Sequence, residues 1–292
     1  MHPRIQKFIA KTIGVYINAL ARIAPKKAGK KAFLVFSRPR KGKIGTHHEA
    51  FLNPARKEQL SLERLKLQVY IWPGSGKTVL LVHGWESHSH RYKNLISRLQ
   101  QENYKILAFD APGHGYSEGT NLYVPLYHEA LELMKARYKP EYIIGHSIGG
   151  MTTIYNQYKN PDPQVKRLVI LGAPDKLEDL LSGYQQLLGL SKRSMQCLDD
   201  YFQQHFGFIQ KEFSSSAFAK AIQIPGLLIH DEQDKITPAY GSKAIHQSWK
   251  NSVLILTRGL NHSLYNDTID ETILNFIKGN KISSKTLTLE KE

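Results

Sequence analysis

Gly145-His146-Ser147-Ile148-Gly149-Gly150 follows directly on the apolar run Tyr142 to Ile144 and leads into helix-compatible sequence through Tyr158. A G-x-S-x-G pattern between a strand and a helix lifts its serine out of a sharp turn as a nucleophile. Gly145 and Gly149 have a steric task, because side chains there would strike the neighbouring strand and helix. A serine hydroxyl is a weak nucleophile at its free pKa. It needs a base, and the base needs a partner that fixes its tautomer and stabilises its charge. The chemistry in view is therefore acyl transfer from a carbonyl compound, with thirteen histidines available as the base.

The elements that must position such a serine are also readable. From about residue 62 onward, short apolar runs alternate with helix-length segments, the pattern of a mostly parallel sheet covered on both faces. The runs are Thr78 to Val82, Ile106 to Phe109, Tyr142 to Ile144, Leu168 to Leu171, Leu227 to Ile229 and Val253 to Leu256. Ahead of them, Leu65 to Ile71 predicts an antiparallel strand that turns back as a hairpin at Pro73-Gly74-Ser75-Gly76. Gly76-Lys77-Thr78 fails as a phosphate loop, since the required first glycine is Ile71. Gly113-His114-Gly115 opens a turn-rich segment and not a helix, so no dinucleotide fingerprint is present and no nucleotide cofactor is expected.

Two further strand ends carry distinctive residues: His83-Gly84-Trp85 after Thr78 to Val82, and Asp110-Ala111-Pro112-Gly113-His114-Gly115-Tyr116-Ser117 after Ile106 to Phe109. Together with the Ser147 segment they closely resemble the α/β-hydrolase superfamily of serine esterases and lipases, over roughly residues 62 to 278. The resemblance implies an α/β fold, a mostly parallel sheet of about 7–8 strands covered by helices, with a helical cap insertion. It also implies the order serine, acid, histidine, with the acid after the next-to-last strand and the histidine after the last.

On that order Asp234, four residues before Pro238, is the acid, and His262 in Gly259-Leu260-Asn261-His262 is the base. Asp231 and Glu232 stand too near the strand end, while Asp175 is the alternative acid used by some relatives. The resemblance assigns the oxyanion donors to the backbone amides of Trp85 and Ile148. His83, His88 and His90 could suggest a metal, but no carboxylate or cysteine stands at ligand spacing, so no metal is expected.

The implied reaction is hydrolysis of a partly hydrophobic small-molecule ester through an acyl-enzyme. Thioester cleavage or acyl transfer would use the same triad, and a catalytically weak membrane-tethered scaffold is the competing reading of another class. Serine at position 147 excludes the chemistry of relatives that use an aspartate nucleophile.

At 292 residues, with 41% hydrophobic and 22% charged residues, the chain is expected to form one large catalytic domain with attachments. We expect a basic amphipathic segment at 1–43, the hydrolase domain at 44–278 with its cap insertion at about 175–222, and a polar tail without structure at 279–292. The insertion contains the stripes Leu177, Leu180, Leu181, Tyr184, Leu187, Leu188 and Met195, Leu198, Tyr201, Phe202, Phe206, whose apolar character fits a hydrophobic acyl pocket. The single cysteine, Cys197, excludes an internal disulfide and fits a reducing, cytoplasmic setting.

Net charge is +15, yet the first 43 residues hold twelve Lys or Arg and no acid, leaving 28 basic against 25 acidic residues elsewhere. The catalytic body is nearly neutral. Residues 4 to 24 predict an amphipathic helix, with Ile5, Phe8, Ile9, Ile13, Tyr16, Ile17, Leu20 and Ile23 on one side and Lys7, Lys11, Asn18 and Arg22 on the other. Such a helix either lies on an anionic membrane or packs on the hydrolase body or a second subunit. Nucleic acid is a weaker partner, since no recognition motif accompanies the charge. Oligomeric state stays open.

Overall fold

The computed structural model describes residues 3–289. They fall into two units, one comprising Pro39–Asp175 with 215–289, the other 3–38 with Lys176–Ser214. Met1, His2 and the tail residues Glu290, Lys291 and Glu292 lie outside the described residues. Helices and strands are numbered in chain order.

The larger unit is built on a nine-stranded sheet. β1 (Arg56–Leu62) and β2 (Leu65–Trp72) form an antiparallel hairpin at one edge. β3 (Thr78–Val82), β4 (Lys105–Phe109), β5 (Tyr142–His146), β6 (Arg167–Leu171), β7 (Gly226–Asp231), β8 (Ser252–Arg258) and β9 (Lys285–Thr288) run parallel to one another. The order is β1-β2-β4-β3-β5-β6-β7-β8-β9. The inner strands are apolar on both faces because helices cover both. α4 (Lys93–Gln101) and α11 (Asp267–Lys278) contribute Ile96, Leu99, Ile273 and Phe276 to one core. α5 (Val124–Tyr138), α6 (Ile148–Lys159) and α10 (Tyr240–Ser248) contribute Tyr127, Leu131, Ile154 and Ile245 to the other. Short helices α3 (Thr46–Leu52) and α9 (Ser215–Ala219) complete the unit.

Three sequence expectations change here. The predicted turn at Pro73 to Gly76 is not a hairpin: β2 pairs antiparallel with β4, which lies between it and β3. That loop instead leans on the residues entering β4, where the Gly76 amide donates to Asn103 O at 2.8 Å. The sheet has nine strands and not seven or eight. Both extra strands, β1 (RKEQLSL) and β9 (KTLT), are polar edge strands with no continuous apolar run to betray them. β9 also gives structure to a tail expected to lack it, through register with β8 and a bond from the Leu289 amide to Arg258 O of 2.9 Å.

The smaller unit is helical: α1 (Pro3–Ile23), α2 (Pro25–Phe36), α7 (Leu177–Leu188) and α8 (Lys192–Phe206). Sequence reading set residues 1–43 apart from the insertion, whereas in the structure α1 and α2 share one unit with α7 and α8. Small residues explain how. A Cβ on Gly14 would overlap the Leu188 carbonyl, and one on Gly29 would overlap that of Cys197, so only glycine allows these helices so close. Asn18 clasps the α7–α8 turn, donating to Gly189 O at 2.9 Å and accepting from the Ser191 amide at 2.8 Å and the Ser194 hydroxyl at 2.7 Å. Phe33 closes the α2–α8 seam against Tyr201, ring centroids 4.9 Å apart. Cys197 is buried in it, and burial raises its thiol pKa. Among the described residues no helix is long and apolar enough to cross a membrane.

Candidate active site

β5 ends in His146, and Ser147 follows at φ 55°, ψ −124°, immediately before α6. A non-glycine residue at such a φ is strained, and here its surroundings enforce the turn. The Ser147 amide donates to Leu171 O at 2.8 Å, fastening the turn to the end of β6. A Cβ on Gly145 would lie 2.7 Å from Gly149 O, and one on Gly149 would lie 2.5 Å from His83 O and closer still to Val82 O. The elbow is therefore pressed against the end of β3. Gly84 continues that contact, since a Cβ there would stand 2.9 Å from the Ser147 Cβ, so the Gly84–Trp85 peptide runs beside the serine. Ser147 itself is buried except for a small accessible edge.

Asp234 sits in the loop after β7 and His262 in the short turn Asn261–Ser263 after β8. His262 Nδ1 and Asp234 Oδ2 are 2.6 Å apart. The carboxylate is oriented from its other side, where Oδ1 accepts the amides of Ile236 at 2.8 Å and Thr237 at 3.0 Å. The Thr237 hydroxyl lies 2.9 Å from Asp234 Oδ2, 2.9 Å from Gly172 O and 3.0 Å from His262 Nδ1. Burial pushes the Asp234 carboxyl pKa up, but hydrogen bonds from His230, His262 and the Thr237 amide outweigh it and hold the pKa well below the usual carboxylate range. Asp234 is therefore an anion at neutral pH.

Gly172, directly after β6, adopts φ +55°, and a Cβ there would meet His262 Nδ1 at 3.6 Å and Asp234 Oδ2 at 3.7 Å. The end of β6 thus touches the serine turn through Leu171 and the acid–histidine pair through Gly172. Among the described residues no hydrogen bond joins the Ser147 hydroxyl to His262. Asp175, the alternative acid, spends its carboxylate on the Ser216 amide at 2.7 Å and the Ser216 hydroxyl at 3.1 Å.

Sequence reasoning missed the residues that hold this pair. His146, the first variable position of the serine motif, donates from Nε2 to the His262 carbonyl at 2.8 Å, and burial pushes its pKa well below the ordinary histidine value. His230 is fully buried beneath Asp234, with Nε2 2.7 Å from Thr237 O and 3.3 Å from Asp234 Oδ2, and Nδ1 2.6 Å from the Ser242 hydroxyl. Asp231 ties the two loops together, accepting from the Thr257 hydroxyl at 2.8 Å and the Leu260 amide at 2.9 Å. The usable signal was a run of polar residues buried at strand ends. Asp110 gives the same signal: it accepts from the Ser89 amide at 2.9 Å, the Ser89 hydroxyl at 2.8 Å, the Tyr116 amide at 3.0 Å and the Tyr70 hydroxyl at 3.1 Å.

His83 uses both ring nitrogens on the backbone, Nδ1 toward Gly84 O at 2.8 Å and Nε2 accepting the Ala111 amide at 2.9 Å. That pattern fixes its tautomer, and burial keeps it neutral. It braces the loop that carries Trp85, whose indole meets the His114 ring edge-on at 5.8 Å.

A family model described as serine aminopeptidase, S33, matches residues 75–200. An uncharacterized abhydrolase domain-containing protein of Dictyostelium discoideum is 24% identical over 260 residues, covering 75% of this chain and 28% of that protein. A monoacylglycerol lipase of Mus musculus is 22% identical over 242 residues, covering 66% of this chain and 72% of the lipase. Among solved structures, a bacterial membrane phospholipase A superposes with a TM-score of 0.62 at 15% identity, over 80% of this chain and 89% of that one.

Proposed function

The chain belongs to the α/β-hydrolase superfamily, and from that premise we propose that it is a serine hydrolase cleaving a carboxylic ester, with Ser147 as nucleophile, His262 as general base and Asp234 as the orienting acid. The observation that carries this reading is the 2.6 Å contact between His262 and Asp234 beside a serine held at φ 55°.

With Nδ1–H given to the carboxylate, His262 offers Nε2 as its basic nitrogen. That nitrogen takes the Ser147 proton as Oγ bonds to the acyl carbon, and the carbonyl electron pair moves onto oxygen. The amides of Trp85 and Ile148 receive the oxyanion, a contribution of about 3 to 4 kcal/mol per donor. Ile148 suits the role because it opens α6, where the first amides have no intrahelical acceptor and the helix dipole favours negative charge. Collapse breaks the ester C–O bond, and the alcohol leaves with the proton from His262. Water then attacks the acyl-enzyme with the same base, and Ser147 regains its proton.

The substrate class is an ester with an apolar portion, in keeping with the mouse relative being a monoacylglycerol lipase. Labelling with a fluorophosphonate tests the nucleophile: the wild type should label and Ser147→Ala and His262→Ala should not. Folded wild-type protein that fails to label ends the reading. A panel of esters of rising acyl length then tests the substrate class, which requires a preference for medium over acetyl chains.

A further inference from the structure

Helix α1 has two apolar faces, and the helical unit buries only one. Ala10, Gly14, Ile17 and Ala21, spaced i, i+4, i+7 and i+11, are buried. Ile5, Phe8, Ile9, Val15, Tyr16 and Ile23 are exposed, Phe8 by 73% and Ile23 by 82%. At about 100° per residue these six project away from the side that Gly14 turns inward. Scattered exposed apolar side chains are ordinary, but six on one side of one helix mark a surface that meets something.

Charge identifies what. Pro25 starts α2 straight after this face, and its Lys26, Lys27, Lys30 and Lys31 are exposed. No acid occurs before Glu49. We propose that residues 5–31 form a docking surface for an anionic lipid bilayer, with α1 lying in the headgroup plane, its six apolar side chains inserted and the α2 lysines on the phosphates. A second copy of this chain would bring like charges together across the same face. A nucleic acid would satisfy the lysines but leave Phe8 and Ile23 in water. An in-plane helix also fits the lack, among the described residues, of any helix able to span a bilayer.

Flotation of the full chain with vesicles tests this, comparing phosphatidylcholine alone with equal parts phosphatidylcholine and phosphatidylserine. The protein should float with the mixed vesicles and not with the neutral ones, and high salt should release it. Phe8→Ser/Ile23→Ser should abolish flotation. Changing Lys26, Lys27, Lys30 and Lys31 to Gln should weaken it by about fivefold per lysine, two to three orders of magnitude together. All six positions are exposed, so circular dichroism and melting of the variants should match wild type.

Equal flotation on neutral vesicles, or unchanged flotation of either variant, would overturn the proposal. So would a concentration-dependent dimer that Phe8→Ser/Ile23→Ser dissolves while neither protein floats. Fluorophosphonate labelling of the same preparations reports on Ser147 separately, so failure of the surface and failure of the hydrolase reading cannot be confused.

Discussion

Asp234→Asn is the sharpest perturbation the site allows, because the new amide has only one way to sit. Oδ1 of Asp234 faces two backbone N–H donors, those of Ile236 and Thr237. An amide nitrogen placed there would oppose both, so the asparagine must keep its oxygen at that position and turn its NH2 toward His262 Nδ1, now 2.6 Å from a carboxylate oxygen. Two donors cannot share that contact. His262 must then take the tautomer that accepts at Nδ1 and carries its proton on Nε2, the nitrogen that should receive the Ser147 proton. Loss of the tautomer and of the anion that stabilises the imidazolium lowers kcat by roughly 10³- to 10⁴-fold, about 4 to 5.5 kcal/mol of barrier. KM should hardly move, since no substrate contact changes. Steady-state hydrolysis of a chromogenic ester, with urea unfolding to verify the fold, provides the measurement. An Asp234→Asn enzyme within tenfold of wild type would refute the reasoning, and a large loss in Asp175→Asn would point to the other acid. Asp175→Asn should retain most activity, because its carboxylate serves Ser216.

Gly149→Ala should cost stability by about 1 to 3 kcal/mol or more, since its Cβ would run into the backbone carbonyls of Val82 and His83, and fluorophosphonate labelling should slow at least hundredfold as the elbow shifts. His146→Asn removes the bond to the His262 carbonyl and should lower kcat by about tenfold with KM unchanged, read by ester hydrolysis. Buried, neutral His83 and His146 make stability fall as pH drops below about 6.5, because the unfolded chain then binds protons the folded chain refuses. Urea unfolding at pH 7, 6 and 5 should show His146→Asn lowering that slope by about 0.7 kcal/mol per pH unit between pH 7 and 6 and by about 1.2 between pH 6 and 5. Asp234 acts with the same sign lower on the scale: its depressed pKa contributes stability above about pH 4 that is lost as pH falls further.

The inner strands were legible because they are buried on both faces and so carry unbroken aliphatic runs; Thr78 to Val82 was read with the same ends it has in the fold. Edge strands β1 and β9 carry Lys, Arg, Gln and Thr and look like loops, since only a neighbouring strand makes them strands. That β4 lies between β2 and β3 could not be read from local pattern either, as it depends on pairing across some forty residues. At the site, Ser147 announced itself by its glycines. Asp234 and His262 came from chain order in a resembling family, and the fold brings them into contact. His146 escaped notice because its partner is a carbonyl 116 residues away, and His230 because a histidine that bonds a nearby carbonyl and hydroxyl looks in sequence like one that faces water.

The clasp of Asn18 on the α7–α8 turn has a consequence in time. Helices α1 and α2 leave the ribosome well ahead of Leu188, Cys197 and Phe202, which complete their packing and follow the end of α2 by about 150 or more residues. At ordinary elongation rates that is a wait of roughly 8 to 33 s. During it Ala10, Ile17 and Ala21 on α1 and Ala28, Ala32 and Phe33 on α2 lack the part of their native cover that α7 and α8 supply. The nascent chain therefore passes through a stage in which its most basic segment is displayed before residues 176–206 have been made.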